Sequence, residues 1–272
     1  MECINPSMAA FLPFTLLAAA FYLAGASWVW LRLARKVPER AMLVRMLGLG
    51  ALLTHGFALY GHLGLPLDLN LGFLEAASLV SWLICAFILL SSLRHPTLNL
   101  AAALFPMAAL LGILTHISSG DVRMPRSEDG LFFHILASLS AYSLFALASV
   151  QALLLAMQNH QLKHRHVRGL ISVLPPLQTM ERLLFDLLLA GQLLLTVGIL
   201  SGFLFFDDMF ARGLMHKTLL SMAAWLTFGL LLIGHWRLGW RGMTAVRWTL
   251  GGSLLLLLAY FGSKFVLQFI LG

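Results

Sequence analysis

Apolar residues recur along this chain in runs of about twenty, the length a helix needs to cross roughly 30 Å of hydrocarbon. Eight such runs stand out, at roughly 8–31, 43–62, 71–93, 98–116, 131–157, 184–206, 218–235 and 247–271. They predict an all-α fold, a polytopic membrane helix bundle of about eight transmembrane helices, making a single integral membrane domain of residues 1–272. One connection is long, at 158–183, and begins with a basic patch of His160, Lys163, His164, Arg165, His166 and Arg168. Pro175 and Pro176 suit a helix start. After them Leu177, Met180, Glu181 and Leu184 fall at i, i+3, i+4 and i+7, which predicts a short interfacial helix ahead of the sixth span.

The composition removes the soluble alternatives. Of the 272 residues, 60% are hydrophobic and 11% charged, and mean hydropathy is +0.89, whereas soluble chains carry about 25% charged residues. A net charge of +7 raises the question of a nucleic-acid partner. Its distribution answers otherwise: thirteen of the eighteen Lys and Arg fall in one set of alternate connections, and five in the other. By the positive-inside rule the richer set is cytoplasmic and both termini face outward. The first apolar run has its basic cluster after it rather than before it, so it reads as a retained helix, not a secretory signal. The only cysteines, Cys3 and Cys85, form no C-x-x-C pair, which excludes a thiol relay or a zinc site built on thiolates.

Polar groups inside hydrocarbon carry functional hypotheses, because each costs about 2.5–3.5 kcal/mol on insertion scales. No carboxylate lies near a midplane: Glu75 and Asp186 sit at span ends. Histidines are the conspicuous feature. His62, His116, His134 and His216 fall within about two turns of the expected outer edge, His55 lies inside the second span and needs a buried partner, and His235 ends the seventh. Imidazole ligates haem iron, and helix bundles build such sites from facing side chains. His134, Ser138, Ala141 and Phe145 share one helical stripe, as Thr218, Ser221 and Trp225 do below His216. Two such faces leave room for a flat ligand between them. Each histidine also has a plainer reading as a hydrogen-bonded interfacial group. Gly198 and Gly202 form a G-x-x-x-G that reads as close helix packing. Trp28, Trp30, Trp82, Trp236, Trp240 and Trp248 read as an aromatic belt.

Several strings then combine: Pro-Pro-Leu-x-x-Met-Glu at 175–181, Leu-Thr-x-Gly-Ile-x-Ser-Gly at 195–202, His-Lys-Thr at 216–218, Gly-Trp-Arg-Gly at 239–242 and Ala-Tyr-Phe-Gly-Ser-Lys-Phe at 259–265. In this order they resemble the cytochrome c assembly protein family, the CcsA, CcmC and HemX type of haem-handling membrane proteins, and within it the inner-membrane YpjD branch. The resemblance extends more weakly through His134 and Tyr142. It implies a bacterial inner-membrane bundle that holds haem and presents it on the outer side, with other cytochrome c biogenesis proteins as partners. It also implies two histidine pairs. His134 matches the first outer ligand, with His216 as a candidate second; His235 resembles one inner ligand, with His55 as the candidate other. Arg123 and Arg126 are candidates to pair with haem propionates, and they equally suit a solvated loop. Two features depart from the family pattern. The connection expected to be tryptophan-rich reads Phe205-Phe206-Asp207-Asp208-Met209-Phe210, and no histidine follows the last span.

The leading expectation is therefore a non-enzymatic haem-binding, haem-handling protein of cytochrome c biogenesis. No nucleotide loop, G-x-S-x-G or H-E-x-x-H is present. The alternatives are a membrane scaffold of the same fold without haem delivery, and a small-molecule permease, which the lack of deep carboxylates disfavours. The lipid bilayer is an expected partner and nucleic acid is not.

Overall fold

The structure, a computed structural model, describes residues 11–63, 69–70, 72–117, 123–124, 129–163, 175–205 and 215–262. Eight helices in it are long and apolar enough to cross a membrane. They are α1 (Leu12–Leu33), α2 (Ala41–His62), α3 (Phe73–Ser91), α4 (Ala101–Ile117, entered through a 3-10 turn at Thr97–Leu100), α5 (Asp129–Lys163), α6 (Leu177–Phe205), α7 (Met215–Leu238) and α8 (Met243–Leu257). A π turn at Leu258–Gly262 extends α8. The only strands among the described residues are β1 (Leu69–Asn70) and β2 (Arg123–Met124), paired antiparallel with Leu69 opposite Met124. The chain is an all-α, multi-pass membrane protein. Its packing falls into two compact units, residues 1–126 and 127–272.

In the first unit α1 packs on α2 and α4, and α3 on α2 and α4. Small residues admit large ones. Gly25 faces the Phe105 ring at 3.2 Å, and Gly48 faces Leu89 at 2.8 Å, measured from the Cβ position each glycine lacks. Pro106 stands inside α4 and has no N–H, so the Ala102 carbonyl one turn earlier loses its helical donor. Trp30 Nε1 donates to that carbonyl at 2.9 Å. Trp82 Nε1 likewise donates to Leu52 O at 2.8 Å. These two indoles are interhelical donors, which is more than the belt role their positions near span ends suggested, because hydrocarbon offers no water to satisfy a carbonyl.

In the second unit α5 packs along α6 and α8, and α7 packs on α6 and α8. Its centre is a stacked pair, Phe145 and Phe228, with ring centroids 3.8 Å apart and planes within 6°. Gly191 and Gly252 leave the space these rings occupy. The expected short interfacial helix is instead the opening of α6, which runs unbroken from Leu177. Met180, Leu183 and Leu184 are buried there, and Gln151 Nε2 donates to Met180 O at 3.0 Å. This face packs on α5 rather than lying on lipid. Helix α5 also outruns its apolar stretch by two turns, because Gln158 Nε2 reaches Pro175 O at 3.0 Å and ties its polar end to the start of α6.

Candidate functional site

His134 lies in the second turn of α5, half-buried, and turns toward α6. Its Nδ1 is 2.8 Å from Gly198 O. A carbonyl only accepts, so Nδ1 carries the proton and the ring's lone pair is on Nε2. Ser201 Oγ stands 3.1 Å from the same Nδ1 while donating to Gly198 O at 2.8 Å. The approach is possible because Gly198 has no side chain: a Cβ there would meet Ser138 Oγ at 2.9 Å. The G-x-x-x-G thus does pack helices, and it also exposes the carbonyl that fixes the imidazole.

His235, in the last turn of α7, is held in the same manner at the opposite end of the unit. Its Nδ1 donates to Trp240 O at 2.9 Å, and its ring stacks on Phe185 with centroids 3.5 Å apart. The acceptor belongs to a tight turn in which Gly239 and Gly242 take φ of +68° and +57°, a region glycine enters without strain. Trp240 N closes the turn on Gly234 O at 3.1 Å. Gly242 N donates to Glu181 Oε1 at 3.0 Å. Glu181 and the Gly-Trp-Arg-Gly string, far apart in sequence, are therefore parts of one corner.

His55 differs. It is 2% exposed in the first unit, with Nδ1 3.3 Å from the Tyr22 hydroxyl and Nε2 3.0 Å from Ser78 Oγ. Both ring nitrogens are engaged, so iron coordination would require a hydroxyl to leave. The buried partner that the sequence demands is thus a pair of hydroxyls on α1 and α3. His216, at the start of α7, is exposed. Arg123 belongs to β2 by its backbone, and Arg126 lies outside the described residues, as do Asp207, Asp208 and the chain beyond Gly262.

The polar faces below His134 and His216 are packed. Ser138 abuts Gly198, Phe145 stacks on Phe228, and Thr218 is buried. Trp225 Nε1 donates to Thr196 Oγ1 at 2.8 Å. Among the described residues no group of three or more His, Cys, Asp or Glu is placed to hold a metal ion. The chemistry on offer is that of single imidazoles, each held by its own partners. Sequence reasoning missed Ser201 and the Gly198 carbonyl as anchors of His134; the three-residue spacing of Gly198 and Ser201 was the available signal.

Eight apolar helices with imidazoles pinned by backbone carbonyls at helix ends define a multi-pass membrane protein whose histidines are fixed at the ends of its spans. The chain belongs to the cytochrome c assembly family, whose model, described as Cytochrome C assembly protein, matches residues 43–271. It is 32% identical over 202 residues to the inner membrane protein YpjD of Escherichia coli K12, covering 74% of this chain and 76% of that one. It is 33% identical over 193 residues to an uncharacterised 28.8 kDa protein of Azospirillum brasilense, covering 68% and 71%. The family and its YpjD branch are those the sequence strings resemble, and the protein is a multi-pass protein of the inner membrane. No solved structure matches the chain.

Proposed function

We propose that this protein binds and handles haem in cytochrome c biogenesis, without catalysing a bond-forming step itself, and that His134 is its principal iron ligand. The observation that carries the reading is the fixed imidazole. Metal-ligating histidines characteristically donate their other ring N–H to a carbonyl or carboxylate, which sets the tautomer and orients the ring, and His134 does so to Gly198 O at 2.8 Å. Haem, when bound, would supply the iron chemistry, and His134 would hold it through Nε2. His216 starts α7 and is exposed, so it is the candidate second ligand on the face that the charge count makes the outer one. Arg123 and Arg126 stay candidates for the propionates. At the other end His235 keeps its Nε2 lone pair and is the candidate inner ligand, whereas the hydroxyls on both nitrogens of His55 favour a structural role for that residue.

The scaffold reading keeps one supporting observation: the connection after Phe205 lacks the tryptophans of haem-presenting relatives. One experiment separates the two. Detergent-purified wild type from haem-replete cells is measured by absorbance and pyridine haemochrome beside His134→Ala, His216→Ala, His55→Ala and His235→Ala. Near-stoichiometric haem, lost in His134→Ala, is the expected result. Folded wild type that is colourless and takes up no added hemin overturns the proposal in favour of the scaffold.

A further inference from the structure

We propose that the corner where α6 begins, α7 ends and α8 begins is a binding site for the headgroup of an anionic phospholipid. The argument is independent of the haem reading. The elements that meet there carry four arginines: Arg182 in the first turns of α6, Arg237 in the last turn of α7, Arg241 in the glycine turn and Arg247 in the first turns of α8. All four are exposed, and none forms an ion pair with a described residue. The nearby acids in sequence are Glu181, whose Oε1 accepts from Gly242 N at 3.0 Å, and Asp186, exposed one turn further along α6. The local balance remains positive.

The backbone that carries these arginines is rigid. Three hydrogen bonds fix the turn, from His235 Nδ1 to Trp240 O (2.9 Å), from Trp240 N to Gly234 O (3.1 Å) and from Gly242 N to Glu181 Oε1 (3.0 Å). Trp240 and Trp248 pack with centroids 5.2 Å apart beneath it. Arginines carried on a fixed backbone suit a phosphodiester, which arginine binds through paired N–H donors. Beside the charges stand exposed apolar groups, Trp236 at 63% and Leu238 at 70%. An amphiphile satisfies both chemistries, whereas a free anion satisfies only the first. Basic clusters at helix ends recognise anionic lipids in this way.

The test uses the full chain in maltoside micelles doped at equal mole fraction with dioleoyl phosphatidylglycerol or dioleoyl phosphatidylcholine. Thermal unfolding is followed by circular dichroism for wild type and for the triple variant Arg182→Gln, Arg237→Gln, Arg241→Gln. Phosphatidylglycerol should raise the wild-type Tm several degrees above phosphatidylcholine, since a ligand of the folded state stabilises it by mass action. The triple variant should lose most of that difference. An equal response in both proteins overturns the proposal, and so does inorganic phosphate at millimolar concentration reproducing the shift. Should the variant fail to fold, native mass spectrometry of wild type decides. Preferential retention of phosphatidylglycerol over phosphatidylcholine supports the site, and equal loss of both overturns it.

Discussion

The two units treat a membrane histidine in opposite ways. In the first, His55 is sealed between Tyr22 and Ser78, with a hydroxyl on each ring nitrogen. In the second, His134 and His235 each spend one nitrogen on a backbone carbonyl. Hydrocarbon imposes the same demand on all three, that a polar ring find partners. Two side-chain hydroxyls exhaust the imidazole and make it a bolt between helices. A backbone carbonyl orients the ring and fixes its tautomer, as the partners of metal-ligating histidines do. Kind of partner, rather than depth, separates the histidine bolted between helices from the two whose rings a backbone carbonyl sets.

Removing the bolt should have the largest effect on stability. His55→Ala strands the Tyr22 and Ser78 hydroxyls in a buried site and opens a cavity beside Gly112, whose missing Cβ would lie 3.5 Å from His55 Nε2. Each stranded group costs about 1–3 kcal/mol in water-soluble proteins, and hydrogen bonds in membranes average nearer 0.6 kcal/mol. A loss of about 2–4 kcal/mol follows once the cavity is included. Unfolding in a denaturing detergent titration measures it. The comparison breaks if His55→Ala is as stable as wild type and haem-free.

The second perturbation strikes the anchor of His134. Gly198→Val places two methyls against Ser138, whose Oγ is already 2.9 Å from the Cβ position and whose backbone is 3.6 Å from it. Overpacking of this kind costs about 1–3 kcal/mol. It also moves the carbonyl that orients the imidazole, so haem content should fall with stability. In the first unit Gly112→Ala is the control, because its Cβ finds only ordinary contact with His55. That variant should unfold like wild type.

A third test examines how the first unit satisfies its backbone. Trp30→Phe removes the donor to Ala102 O, the carbonyl that Pro106 orphans, at a cost of about 0.5–1.5 kcal/mol. Adding Pro106→Ala restores the helical N–H, so the double variant should recover what the single one lost. Additive losses in the thermodynamic cycle would show that the indole contributes only packing.

These residues show what a sequence displays and what it hides. The eight spans were legible because the bilayer requires about twenty consecutive apolar residues, a constraint written locally. Their ends were less so: the polar run Gln158–Lys163 continues α5 because Gln158 is tied to Pro175 O. Trp30 looked like an interfacial belt residue, and its true partner stands 72 positions away. That His55 needed a buried partner followed from its depth alone, but Tyr22 and Ser78 come from other helices and no local pattern names them. His134 was legible as a histidine heading a span. The carbonyl that makes it a candidate ligand was not, since a backbone acceptor has no signature in the sequence beyond the glycine that uncovers it.

The finest distinction concerns Ser201. Its hydroxyl stands 3.1 Å from His134 Nδ1 and donates to Gly198 O at 2.8 Å, so it backs an anchor that the carbonyl already provides. Ser201→Ala leaves the carbonyl in place, and because the lost hydroxyl also satisfied itself within its own helix, stability should change by about 0.5 kcal/mol or less. Loss of a full outer-shell partner typically weakens a metal site 10–100-fold. With the carbonyl retained, hemin affinity should fall at most about tenfold, accompanied by a small displacement of the Soret band. A hemin titration on folded Ser201→Ala reads both. Unchanged affinity and spectrum would confine Ser201 to helix packing and leave Gly198 O as the anchor; a loss as complete as that in His134→Ala would make a hydroxyl, not the carbonyl, the group that sets His134, and so erase the distinction from His55.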